Sequence, residues 1–153
     1  MKQQDAYEQF FPLIEFSGKI YRKSSLVYVV VANNKEFIET WTNDGLETTN
    51  YANPGDFIVQ NLQTENLEKY VVPPEMFKSR YDFFYWCGSG VVCIPLGKVK
   101  AIQYDGEDIQ FVAKWGRLMV LKTGDFIVSP CPNFKEVYRI ARKEFFETYE
   151  EDL

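Results

Sequence analysis

The chain of 153 residues is long enough for one ordinary domain or two very small ones, and its 46% apolar content can furnish a core. With 17 basic against 22 acidic side chains and no histidine, it lacks the basic excess that duplex nucleic acid requires. The same composition removes Ser-His and Cys-His nucleophile pairs and the commonest transition-metal ligand.

In chain order, residues 1–17 read as an N-terminal helical extension interrupted at Pro12. Their order of charged and apolar residues is not that of a signal peptide. A first unit, residues 18–81, follows. It opens with a strand over Leu26–Ala32. Asn33 as cap, with Glu36 three residues on, predicts a helix to Trp41. Strands near Leu46–Tyr51 and over Phe57–Gln60 flank the turn Asn53-Pro54-Gly55. Tyr70–Val72 continues as strand, and Pro73-Pro74 starts a helix through Tyr81. Residues 82–96 (DFFYWCGSGVVCIPL) are too apolar for a flexible linker and read as a packed connector.

A second unit, residues 97–153, repeats the order. Val99–Tyr104 is a strand. Asp105, with Asp108, caps a short helix to Trp115. Leu118–Leu121 leads through the turn at residues 122–125 into Phe126–Ser129. Val137–Ala141 is a further strand, and Arg142–Glu150 closes as a helix. The case for duplication rests on identity: Gly55-Asp56-Phe57-Ile58-Val59 recurs as Gly124-Asp125-Phe126-Ile127-Val128. Phe37-Ile38-x-x-Trp41 matches Phe111-Val112-x-x-Trp115, Phe77-x-x-x-Tyr81 matches Phe145-x-x-x-Tyr149, and Gly18-Lys19-Ile20 resembles Gly97-Lys98-Val99. The expected fold is α+β: two tandem β-α-β-β-β-α repeats forming an intramolecular pseudo-dimer. A unit of ~60 residues alone would be marginal, which is a physical reason to fuse two.

The run Pro54 to Val59 and the series Lys100-Ala101-Ile102-Gln103-Tyr104, Gly124 to Val128, Glu136-Val137-Tyr138 and Phe145-x-x-x-Tyr149-Glu150 resemble the small PGDYG-type proteins of bacteriophage and prophage genomes. The family's "GE" before the fourth strand is absent here; only Glu68 and Tyr70, and Glu136 and Tyr138, remain of that motif. The resemblance implies a fold and a phage or prophage setting. It carries over no catalytic residues.

The candidate ligand- or partner-binding residues are few. Asp56 and Asp125 follow turn glycines and are either paired acid–base carboxylates or turn caps. Arg139 and Arg142, with Lys143, are a possible phosphate or carboxylate grip; strand alternation places Arg139 toward solvent. Tyr85 and Trp86 are either an aromatic patch that grips a partner or part of the packed connector. Trp41 and Trp115 read as core residues ending helices.

Three cysteines without CxxC spacing argue against a zinc site or disulfide framework, and for a reducing compartment. No apolar run approaches the ~18 residues that span a bilayer. The expectation is a cytoplasmic, non-enzymatic binding protein without cofactor, metal or membrane segment, in the host cell if viral. It would occupy a host protein or hold a small anionic, nucleotide-type ligand between aromatics and Arg139/Arg142 at the seam between repeats. Two other readings stand beside it: a carboxylate enzyme using Asp56 and Asp125 with a hard divalent cation, and a virion structural component.

Overall fold

The computed structural model describes residues 1–42 and 45–153. It is a mixed α+β protein with three helices among the described residues and antiparallel strand pairings. In chain order the elements are α1 (Gln3–Ser17), β1 (Lys19–Lys23), β2 (Val27–Val31), β3 (Glu36–Thr42), β4 (Gly45–Ala52), β5 (Phe57–Asn61) and β6 (Lys69–Val72). Then come α2 (Pro74–Arg80), β7 (Tyr81–Cys87), β8 (Gly90–Pro95), β9 (Lys98–Gln103), β10 (Ile109–Val112) and β11 (Leu118–Leu121). The chain closes with β12 (Phe126–Pro130), β13 (Tyr138–Ile140), α3 (Arg142–Thr148) and β14 (Tyr149–Glu151). No helix among the described residues is long and apolar enough to cross a membrane.

Two compact units result: Met1–Lys23 with Gly97–Leu153, and Ser24–Leu96. The first carries a five-stranded sheet in the order β13-β12-β9-β1-β14, plus the hairpin β10-β11. The second carries the order β6-β5-β2-β8-β7, plus the hairpin β3-β4. Residues 82–96, expected as a connector, are strands β7 and β8 of this second sheet. β1, expected in the same unit as β5, instead pairs with β9 and β14 in the other unit. The likeness of Gly18-Lys19-Ile20 to Gly97-Lys98-Val99 therefore joins two neighbouring strands of one sheet, with Tyr21 opposite Val99.

The helices expected over 33–41 and 105–115 are strands. In β3, exposed Phe37 and Glu39 alternate with buried Ile38 and Thr40, the period-2 pattern of a half-buried strand. β-branched and aromatic side chains favour that state over the two-residue capping signal at Asn33 and Glu36. The same holds for Ile109–Val112, where Phe111 is fully buried. Trp41 and Trp115, expected in cores, are half exposed; Trp115 lies in the turn joining β10 to β11 and meets Tyr138 edge-on at 5.5 Å.

Each sheet packs an aromatic helix residue on one face. In the first unit Phe145 of α3 stacks on Phe126 at 3.7 Å and on Tyr149 at 5.2 Å, over Val99, Ala101 and Val128. In the second, Phe77 of α2 stacks on Phe57 at 4.1 Å and on Tyr81 at 5.3 Å, over Val27, Val29 and Val59. Both tyrosines sit at the helix C-caps, where the chain turns into β14 and β7.

The hairpins meet different environments. In the first unit Ala6, Phe10 and Ile14 of α1 pack with Phe111, Met119, Leu121 and Ile127. α1 runs through Pro12 without interruption. Its buried residues Ala6, Phe10 and Ile14 recur at four-residue spacing, so one face docks along its length. In the second unit the cluster beneath the hairpin is Ala32, Ile38, Ala52 and Ile58 against Val30 and Val71, with no helical member among the described residues.

Candidate functional site

The two Gly-Asp turns are built by the same bonds. Gly55 and Gly124 adopt φ of 92° and 93°, the left-handed region that glycine tolerates. Asp56 Oδ2 accepts the Asn53 N–H at 2.9 Å, and Asp125 Oδ2 accepts the Lys122 N–H at 2.9 Å. Both carboxylates thus cap the turns that precede them, the bland alternative in the sequence. The chain separates them into different units.

Asp125 does more than Asp56. It is buried, and its carboxylate also receives Arg139 Nε at 2.8 Å and the Arg142 N–H at 3.1 Å. That last bond satisfies a free amide in the first turn of α3. So Asp125, Arg139 and Arg142 are brought together, but as a tie between turn, strand β13 and helix start. Arg139 does not face solvent: its side chain is only 15% exposed and is ion-paired to Asp125. β13 lies beside β12, which starts at the turn, and this neighbour draws the guanidinium inward. The Arg142 side chain remains exposed.

Among the described residues, no three of His, Cys, Asp and Glu gather closely enough to hold a metal ion. Burial pushes the Cys93 thiol up, with the Asp82 charge adding to the effect. The Cys131 thiol is likewise raised by burial, partly offset by Lys98 and Lys100. Neither is the lowered thiol of a nucleophile. An open depression lined by Arg22, Lys98, Glu150, Glu151, Asp152 and Leu153 carries charges that already pair: Arg22 with Glu150, and Lys98 Nζ with Asp152 at 2.8 Å.

The remaining candidates, Tyr85 and Trp86, stand on β7. This strand is last in its sheet and pairs with β8. Phe83, Phe84, Tyr85 and Trp86 are all exposed, Trp86 to 73%. A β-bulge between Phe83 and Tyr85 sorts them. Phe83 and Trp86 meet at 5.7 Å, opposite Cys93 and Val91; Phe84 and Tyr85 meet at 5.1 Å, with Tyr85 opposite Val92. Both faces of the edge are therefore aromatic.

The corresponding edge of the other sheet is handled differently. β14 is three residues long, and Glu150 and Glu151 on it pair with Arg22 and Lys19. Short, charged edges are the normal protection against pairing with another chain. β7 has seven residues, one charge (Asp82) and four exposed aromatics. Phe83 and Phe84 were not singled out in the sequence. A signal was there: four consecutive aromatics in a strand of alternating faces cannot all point into one core.

Compared with known protein families, curated proteins and solved structures, the chain matches none.

Proposed function

We propose that this is a non-enzymatic binding protein whose docking surface is the β7 edge, taking an extended segment of a partner protein as an added strand. The carrying observation is the row of exposed Phe83, Phe84, Tyr85 and Trp86 on an edge strand. Strand addition supplies main-chain hydrogen bonds, and aromatics on both faces supply side-chain contacts. Exposed aromatic clusters of this kind mark interaction sites in globular proteins. The Gly-Asp residues contribute by holding their units together rather than by touching a ligand.

The chain is further read as a duplicated unit. Both sheets share one order of elements about β2 and β9, both turns use the same carboxylate bond, and both carry the Phe-Phe-Tyr stack. The likeness to PGDYG-type proteins supports a phage or prophage accessory factor acting on a host protein in the cytoplasm.

The test is a captured partner followed by titration of the purified pair. Phe84→Lys with Trp86→Ser should weaken binding at least about a hundredfold, as loss of two aromatic anchors does. Circular dichroism should be unchanged. Equal affinity of the wild type and this variant would sink the reading.

A further inference from the structure

A second surface lies on the hairpin β3-β4, and a different observation carries it. Cross-strand pairing places Phe37 opposite Tyr51, Glu39 opposite Thr49, and Trp41 opposite Leu46. The irregularity after Thr40 falls on the β4 side, so Phe37, Glu39 and Trp41 keep one face by alternation. Ile38 and Thr40 point the other way and are buried. The outward face therefore reads aromatic pair, carboxylate, apolar pair. Phe37, Tyr51, Trp41 and Leu46 are between 44% and 54% exposed, and the rings of Phe37 and Tyr51 meet at 5.2 Å. Residues two apart on a strand are about 7 Å apart, so Glu39 stands about that far from both Phe37 and Trp41.

This face already takes a cation. Lys35 Nζ sits 4.7 Å from the centre of the Tyr51 ring. Charge bias agrees: residues 24–96 hold nine acidic and four basic side chains, a net −5, while the rest of the chain holds thirteen of each. The whole negative excess of the protein thus belongs to the unit that carries the hairpin.

We infer that the outer face of the β3-β4 hairpin is a binding site for a lysine- or arginine-bearing extended peptide segment of a partner protein. The alkyl stem of the basic side chain lies on the Phe37/Tyr51 or Trp41/Leu46 pair, and its charged head reaches Glu39. Aromatic faces attract cations through the ring quadrupole, and the carboxylate between them adds ion pairing. An acidic or purely apolar segment has nothing to gain from Glu39, and a second copy of this unit would bring like charges together.

The probe is a synthetic peptide of alternating lysine and threonine, with the glutamate–threonine peptide as control. Tryptophan fluorescence and amide NMR shifts are followed on the full chain. The lysine peptide should bind, with shifts concentrated on residues 36–41 and 49–51, and the glutamate peptide should not. Glu39→Gln should weaken binding about two- to fivefold, the measure of an exposed ion pair. Trp41→Ser should weaken it about two- to fivefold more, and Lys35→Ala should strengthen it by freeing the Tyr51 ring. All three substituted residues are exposed, so NMR dispersion should stay native. Absence of binding by the lysine peptide at millimolar concentration overturns the inference. So does equal binding of the two peptides, indifference to Glu39→Gln and Trp41→Ser, or shifts that follow protein concentration alone. Because β7 lies outside these shifts, the result does not depend on the edge-strand reading.

Discussion

The two turn-capping aspartates should differ sharply in what they are worth. Asp56 is partly exposed and accepts one backbone N–H, from Asn53. Removing such a cap costs about 1 kcal/mol. Asp125 is buried, accepts two backbone amides, and pairs with Arg139, whose side chain is 15% exposed. Truncating one member of a buried pair costs about 3–5 kcal/mol, because the remaining charge stays in a poorly solvated place. At about 4–8 °C per kcal/mol for a unit of this size, Asp125→Ala should lower the melting midpoint of its unit by about 12 °C or more. Asp56→Ala should lower that of the other by about 4–8 °C. Urea titration followed by circular dichroism gives the free energies. A double-mutant cycle with Arg139→Met should return a coupling of about 1–3 kcal/mol between Asp125 and Arg139. Equal losses for the two aspartate variants, or a coupling near zero, would refute the account of Asp125 as the tie between turn, β13 and α3.

Three further outcomes follow from burial. Ellman's reagent at mildly alkaline pH should label exposed Cys87 first, partly buried Cys131 more slowly, and buried Cys93 last, since burial raises the latter two thiols. The Tyr81 hydroxyl is raised above its ordinary 10.0, chiefly by burial and against the pull of Arg80. The unfolded chain therefore ionises first: the contribution of Tyr81 is intact below pH 10 and is lost as pH rises through the raised value, and Tyr81→Phe should flatten that alkaline slope in urea titrations. Phe145→Ala, at a 1% exposed stacking position, should cost about 3–5 kcal/mol, whereas Trp86→Ser should stay within about 0.5 kcal/mol, both read by thermal melting.

The parts legible in the sequence are those whose geometry the backbone dictates. A turn that needs a positive φ demands glycine, and the carboxylate that caps it must follow directly, so Gly-Asp and the strand after it read correctly in both places. The short helices α2 and α3 were legible for a similar reason, because Phe77 and Phe145 each need a tyrosine four residues on to complete one stack. The role of residues 18–23 was hidden, because β1 completes a sheet whose other strands lie beyond residue 97, and no local pattern reports so distant a pairing.

The hairpins were misread because their residues answer to what covers them. Register about the turns places Ile38, not Phe37, at the position of Phe111: Ala52 opposite Glu36 corresponds to Leu121 opposite Ile109. The sequence match of Phe37 with Phe111 is thus one residue out, and one residue in a strand exchanges the two faces. Where α1 packs, the inner positions are large: Phe111, Met119, Leu121 and Tyr104. Where no helix among the described residues joins the cluster, they are Ile38, Ala52 and Ala32. With the smaller inner set buried, the bulky Phe37, Trp41 and Tyr51 take the outer face, where burial cannot explain them. Aromatics kept on an exposed face beside a carboxylate are explained by a ligand more readily than by folding, and the lysine-peptide titration decides between the two.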